Sequence, residues 1–427
     1  MTQVLEAEYT YTNDHFAAGM QVAIDSAGRI EAVGRLGRVA TRRLARRALL
    51  PGFVNAHSHA FQRALRAQGE VFPAGVNDFW TWRESMYALV QRLTHDELRE
   101  VCRRAFQEML AAGITTVGEF HYLHHRDAER RDFEFDDVVL DAAKAVGIRI
   151  VLLQSFYKMG GFAAPLASGQ RRFATPSVSD FWRQVDRLES KLAGDSQSLG
   201  IAPHSLRAVP PEDLRELERE ARRRGYVCHV HVEEQRREID DCRRTLGCTP
   251  LEWVVENLHV GPHLTIIHGT HARGERLQRY ISAGGHVCVC PITEGNLGDG
   301  LSDAPAMLAA PNSICIGSDS NIRIDACEEL RWLEFVQRLQ AERRGICVDQ
   351  QGRVAERLLR IGTRGGAAAL GLNAGAIEPG RDADLIAIDL DHPPLAGATT
   401  ETLLGSLLLG ASGAAVREVC VGGRWVA

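Results

Sequence analysis

The chain has 427 residues, 45% hydrophobic and 25% charged, the balance of an ordinary soluble globular protein and not of a disordered, collagen-like or small disulfide-stapled one. Its 50 Lys and Arg against 55 Asp and Glu give a net charge of −5, which provides no field to hold nucleic acid or an anionic membrane. No segment reaches the ~18–20 uninterrupted apolar residues of a membrane helix.

The N-terminal MTQVLEAEYTYTNDHF carries acidic and polar residues where a signal peptide has a basic end and an apolar core, so a cytoplasmic location is expected. MQVAIDSAGRIEAVG then alternates apolar and polar residues around a Ser-Ala-Gly turn, the pattern of a hairpin. Eight apolar, β-rich runs follow: ALLPGFVNAHSH, GITTVGEFHY, RIVLLQSF, LGIAPHS, VCHVHVEE, LTIIHGTH, HVCVCPIT and SICIGSDS. Most precede a charged amphipathic stretch such as PPEDLRELEREARRRG. Near-continuous apolar strands alternating with helices imply parallel strands covered on both faces, and eight units imply a (β/α)8 TIM-type barrel over residues 51–376. ADLIAIDLD and VREVCVGGRWVA, the latter bent at Gly422-Gly423, are again short strands. Residues 1–50 and 377–427 are therefore expected to form one small β-sandwich built from both termini. Ten cysteines from Cys102 to Cys420 include no CxxC pair, and in a reducing compartment they read as small buried hydrophobes.

The residues able to do chemistry keep one phase. His57, His59, Glu119, His204, His231, Glu234, His268 and Asp319 all fall at the C-terminal ends of the strand candidates, the face on which barrels build active sites. His57 and His59 are two apart in a strand, so both imidazoles face the same side. By themselves they are two histidines capping a strand. Joined by His231, His268 and Asp319 they make a nitrogen-and-oxygen donor set suited to Zn²⁺, with one position left for water. Fe²⁺ or Mn²⁺ fits the same donors.

PGFVNAHSHAFQRAL, HVHVEEQ, IIHGTH and IGSDS resemble the metal motifs of the amidohydrolase superfamily, and the resemblance runs through the closing phrase GAIEPGRDADLIAID. HSHAFQRAL, NDFWTWRESMY, GQRRF, APHSLRAV and CPITEGNLGDG are similar to phrases of its formimidoylglutamate deiminases, enzymes of histidine degradation. The resemblance implies that His57, His59, His231 and Asp319 hold one zinc, with Asp319 also taking a proton from water. It implies that His268 polarises the substrate and that Glu234 shuttles protons to the departing ammonia. Glu233 precedes Glu234, and either is able to be a plain surface acid. His229 reads as a packed histidine one layer deeper. The superfamily's two-metal members bridge their ions with a lysine near strand four, and LGIAPHSL has none.

A formimidoylglutamate carries two carboxylates, which guanidinium groups hold bidentately. Arg207 and Arg83 are the better placed arginines for this, with Arg171 and Arg172 less so. Gln62, Tyr122 and His204 match substrate-side residues of the deiminases. The expected enzyme is thus a zinc-dependent deiminase taking a small acidic substrate, with neither nucleic acid nor membrane as a partner, and a homodimer as the commonest assembly. The alternatives are a superfamily deaminase of an aminated ring such as guanine, for which two arginines serve no purpose, and a non-catalytic barrel subunit.

Overall fold

The structure is a computed structural model that describes residues 3–68, 70 and 79–426. Asn77 and Asp78 of the phrase NDFWTWRESMY, like Met1, Thr2 and Ala427 at the termini, lie outside the described residues. The chain opens with β1 (Gln3–Thr12), β2 (His15–Ala18), β3 (Gln21–Ile24), β4 (Ile30–Gly34) and β5 (Arg42–Pro51). Eight strands then alternate with helices: β6 (Phe53–Ser58), β7 (Ile114–His121), β8 (Arg149–Phe156), β9 (Gln197–Pro203), β10 (Cys228–Val232), β11 (Leu264–His268), β12 (His286–Val289) and β13 (Ile314–Ile316). The C-terminal strands are β14 (Leu385–Asp389), β15 (Val416–Val421) and β16 (Arg424–Trp425).

β6 to β13 pair in sequence order, all parallel, and each of the eight β-rich runs supplies one of them. The seam between β13 and β6 is closed at the mouth. There His59 N donates to Asp319 O (2.9 Å) and Asp319 N donates to His57 O (3.0 Å). Gly317 permits this approach, since a Cβ on it would stand 2.8 Å from the His57 carbonyl oxygen. The charged repeats form the covering helices. In Pro211–Arg224, proline opens the helix, Glu212 and Asp213 occupy the first turn, Arg222 to Arg224 the last, and Gly225 ends it at φ +80°. Its buried face is Leu214, Leu217, Glu218 and Ala221, a 3.6-residue stripe.

The termini form one continuous sheet, β16-β15-β14-β5-β1-β3-β4, with β2 added to β1. It is antiparallel except for β1 against β5. The sheet curls on itself, so that Gly28 in the β3–β4 turn meets Gly422 in the β15–β16 turn. A Cβ at Gly28 would stand 2.2 Å from the Gly422 carbonyl oxygen. Leu5, Val22, Ile24, Ile30, Leu49 and Leu385 fill the interior. Arg149, the first residue of β8, donates to Asp384 from Nε (2.7 Å) and Nη2 (3.1 Å), anchoring the sheet at the barrel's N-terminal end. The opposite end is left free for the site. All ten cysteines are free thiols, nine of them buried. No helix among the described residues is long and apolar enough to cross a membrane.

Candidate active site

The strand ends bring the predicted donors together. The donor atoms of His57, His231, His268 and Asp319 all lie within 4.8 Å of one another, and all four side chains are buried. Asp319 Oδ1 is 3.1 Å from His57 Nε2 and 3.2 Å from His59 Nε2, so His59 joins the group through that carboxylate. Partners behind the rings fix how two imidazoles face. His59 Nδ1 donates to the Phe120 carbonyl (2.7 Å) and His231 Nδ1 to the His204 carbonyl (3.0 Å). A carbonyl only accepts, so in both rings Nε2 keeps a lone pair pointing into the group. Burial lowers His57 to about 3 and, with help from the neighbouring histidines, takes His231 well below its ordinary value, which leaves both neutral. Burial alone would raise Asp319, but the His57 and His59 rings beside it outweigh that and hold the carboxyl well below the carboxylate range. Neutral imidazoles beside a carboxylate are the ionic forms a divalent metal requires. The backbone is strained at the same place: φ is +67° at His268 and +43° at Asp319.

A cavity of about 530 Å³ opens over this group, lined by His59, His231, His268, Asp319, Glu234, Gln62, Arg83, Tyr122, His204 and Arg207, while His57, Glu119, Arg171 and Arg172 do not line it. Gln62 donates to the Tyr122 hydroxyl (2.6 Å) in its wall, and His204 lies against Ser205. Apart from Tyr122, the aromatic part of the wall was not foreseen from sequence. It comes from the helix Phe79–Arg92 and from Tyr157 and Phe173. Gln170 of GQRRF holds two of these rings, donating to the hydroxyls of Tyr157 (2.8 Å) and Tyr87 (3.0 Å). The arginines that follow it are not in the cavity. Arg172 is buried and donates to the carbonyls of His125 (2.8 Å) and Leu93 (3.0 Å), while Arg171 pairs with Glu129 at the surface.

Neither Glu233 nor Glu234 is a solvated surface acid. Glu233, at φ +54°, turns away and accepts from Leu251 N (3.0 Å) at the start of the helix Pro250–Asn257. Glu234 faces the cavity, with Oε1 3.8 Å from His268 Nε2 and Oε2 accepting from Arg207 Nη2 (3.1 Å). Arg207 therefore lines the cavity already paired, with Glu238 Oε2 a further 3.8 Å from its Nη1. Arg83 pairs with no carboxylate among the described residues and lies against the rings of Trp80 (4.2 Å) and Tyr87 (5.5 Å). Burial opposes protonation of His268, but Glu234, Glu294 and Asp319 outweigh it and raise the imidazole to about 10. Glu119 accepts from Ala60 N (2.6 Å), just after His59, and burial pushes its carboxyl up to about 7. His229 is buried one layer down, donating to the Ala369 carbonyl (2.9 Å). Lys158 pairs with Asp213 (2.7 Å), outside the cavity.

The amidohydrolase family matches residues 48–426 of the chain. The formimidoylglutamate deiminase of Pseudomonas aeruginosa is 39% identical over 385 residues, covering 89% of this chain and 84% of that protein. The 8-oxoguanine deaminase of the same organism is 30% identical over 388 residues, covering 89% and 82%. Among solved structures, an amidohydrolase from Brucella melitensis superposes with a TM-score of 0.89 at 32% identity, over 99% of this chain and 94% of that one.

Proposed function

The chain belongs to the amidohydrolase family and is a hydrolase of carbon–nitrogen bonds, and from that premise we propose that it converts N-formimidoyl-L-glutamate and water to N-formyl-L-glutamate and ammonia. The observation that carries the substrate is the pair of guanidiniums, Arg83 and Arg207, in one cavity with the donor group. A neutral purine accepts hydrogen bonds from a guanidinium but carries no charge to balance two of them, whereas a dicarboxylate accepts from both and neutralises them.

A divalent ion held by His57, His59, His231 and Asp319, zinc in this reading with Fe²⁺ or Mn²⁺ fitting the same donors, would supply the Lewis acidity that brings a water toward a pKa of ~7. The protein's own groups do the rest. Arg83, Arg207, Gln62, Tyr122 and His204 orient the substrate so that its amidine carbon faces Asp319. Asp319 takes a proton as the water oxygen bonds to that carbon. His268 donates toward the developing charge. Glu234 delivers a proton to the amidine nitrogen, and Asp319 passes the water proton to the same nitrogen. As the carbon–nitrogen bond breaks and ammonia leaves, the hydroxyl proton returns to Glu234 and the formyl carbonyl forms. The Arg207 guanidinium on its Oε2 orients Glu234, so Arg207 serves carboxylate and acid together. The reading includes one ion per chain and a cytoplasmic homodimer.

Ammonia release tests it. Formimidoylglutamate should be turned over well above formimidoylaspartate, whose shorter chain moves one carboxylate by a methylene, and guanine or 8-oxoguanine should release nothing. The 30% identity to an 8-oxoguanine deaminase makes the purine the informative control, and ammonia from the purine alone would overturn the assignment.

A further inference from the structure

A second cavity, of about 810 Å³, adjoins the first, and Arg83 and Arg207 line both. Its outer wall carries two further arginines, Arg237 and Arg244, from the helix Arg236–Leu246. The Trp80 ring ties the two sets together, lying 4.2 Å from the Arg83 guanidinium carbon and 4.6 Å from that of Arg237. The charge here is not cancelled. Asp241 is a single carboxylate between Arg244, which it contacts, and Arg237, 3.8 Å away. Those arginine side chains are 74% and 63% exposed, where such pairing contributes little. Two buried polar groups in the wall also lack hydrogen-bond partners: Glu238 Oε1, on a residue only 1% exposed, and Arg207 Nη1. Burial pushes the Glu238 carboxyl up to about 7, so near neutrality it is half protonated and able to donate. Four guanidiniums face this hollow against Glu238 and Asp241 in its wall and Glu234 on Arg207, a local excess of positive charge in a chain of net charge −5.

We propose that this second cavity is an outer anion site, which takes a small dicarboxylate on Arg237 and Arg244 and passes it to Arg83 and Arg207 in the wall of the inner cavity. The choice of a dicarboxylate rests on the substrate reading above. The outer site recognises carboxylates and not the amidine, so it takes N-acyl glutamates as well as the substrate. It raises the concentration of the anion at the inner mouth, and its effect fades as salt screens it.

The test is the double variant Arg237→Met/Arg244→Met, at two exposed positions outside the inner cavity. With formimidoylglutamate at ~20 mM ionic strength, kcat should be unchanged and kcat/KM about 10-fold lower than wild type, the gap closing by ~0.3 M. Arg237→Lys/Arg244→Lys keeps the charge and should restore most of the loss. A Met/Met variant with wild-type kcat/KM at low salt overturns the outer site while leaving the substrate reading intact. If the wild type releases no ammonia from formimidoylglutamate, the substrate reading fails, and the outer site is judged by calorimetric binding of N-acetyl-L-glutamate. The Met/Met variant should then bind that dianion about 10-fold more weakly at low salt, and equal affinity overturns the proposal.

Discussion

Three buried groups among the described residues bring possible metal donors within 4.8 Å: one is His268, Cys290 and Glu294, and the other two, which join several histidines to a carboxylate, differ in how free their lone pairs are. In the first of those two, His57, His231, His268 and Asp319 stand at the mouth with Nε2 of His231 turned inward by a carbonyl behind the ring, and a cavity opens over them. The second is His121, His124 and Asp136, beside β7. There Asp136 Oδ1 is met by His121 Nε2 (3.0 Å) and His124 Nδ1 (2.9 Å), and Oδ2 accepts from Gln154 (2.6 Å) and Gln184 (2.7 Å). A carboxylate has about four lone-pair sites, and three of them take hydrogen bonds, from His124, Gln154 and Gln184, while His121 stands close on the remaining side without making one. His124 Nε2 faces the Ser155 carbonyl (2.8 Å), so neither of its nitrogens offers a free lone pair. Closeness of donors is common to both clusters. What separates them is whether the next neighbours donate into the group or hold its lone pairs free.

Removing one histidine from each cluster should therefore give opposite phenotypes. His231→Ala should abolish both bound metal and turnover. His124→Ala should keep the metal and lose stability, by about 3–5 kcal/mol in urea unfolding, because a buried carboxylate loses a partner. Equal metal loss in the two variants would erase the distinction.

Glu234→Gln sharpens the comparison inside the open cluster. The amide keeps a hydrogen bond to Arg207 but cannot carry a proton, so kcat should fall by about 10²–10⁴-fold with metal content unchanged. Glu233→Gln, whose side chain is held by Thr249 and the Leu251 amide on the other side, should be mild in kcat. The reverse order would assign the proton transfer to the wrong carboxylate.

The smallest effect concerns Glu119, which holds the turn after His59. Its folded value of about 7 lies above the ordinary 4.5, so the stability it contributes is present below 4.5 and lost as pH rises through about 7. The loss amounts to about 3 kcal/mol. Unfolding free energies of wild type and Glu119→Gln, measured from pH 5 to 8, should shift in favour of the variant by most of that amount. Parallel curves would show that Glu119 is ionised without penalty.

The barrel and the mouth were legible in the sequence because both rest on local signals. Eight near-continuous apolar runs specify buried parallel strands, and period-two spacing puts His57 and His59 on one side. The closed cluster was not legible, since the hydrogen bonding of Asp136 depends on Gln154 and Gln184, from two other elements. The choice of Glu234 over Glu233 rested on resemblance alone, and its physical reason, the left-handed φ that turns Glu233 away, is not visible in the sequence. The pairing of Arg207 with Glu234 joins residues on different strand ends, and the aromatic wall comes from a helix whose inward face no local period marks. The union of the terminal strands in one small β-domain was foreseen, but its form as a single curled sheet depends on Gly28 meeting Gly422 across the chain's length.

The central claim is that the open cluster is the one metal site, and metal content per chain tests it most directly. Wild-type protein and Asp136→Asn should each carry one equivalent of divalent metal, and Asp319→Asn should carry none. Two equivalents in the wild type, or a full equivalent retained in Asp319→Asn and lost in Asp136→Asn, would contradict the account.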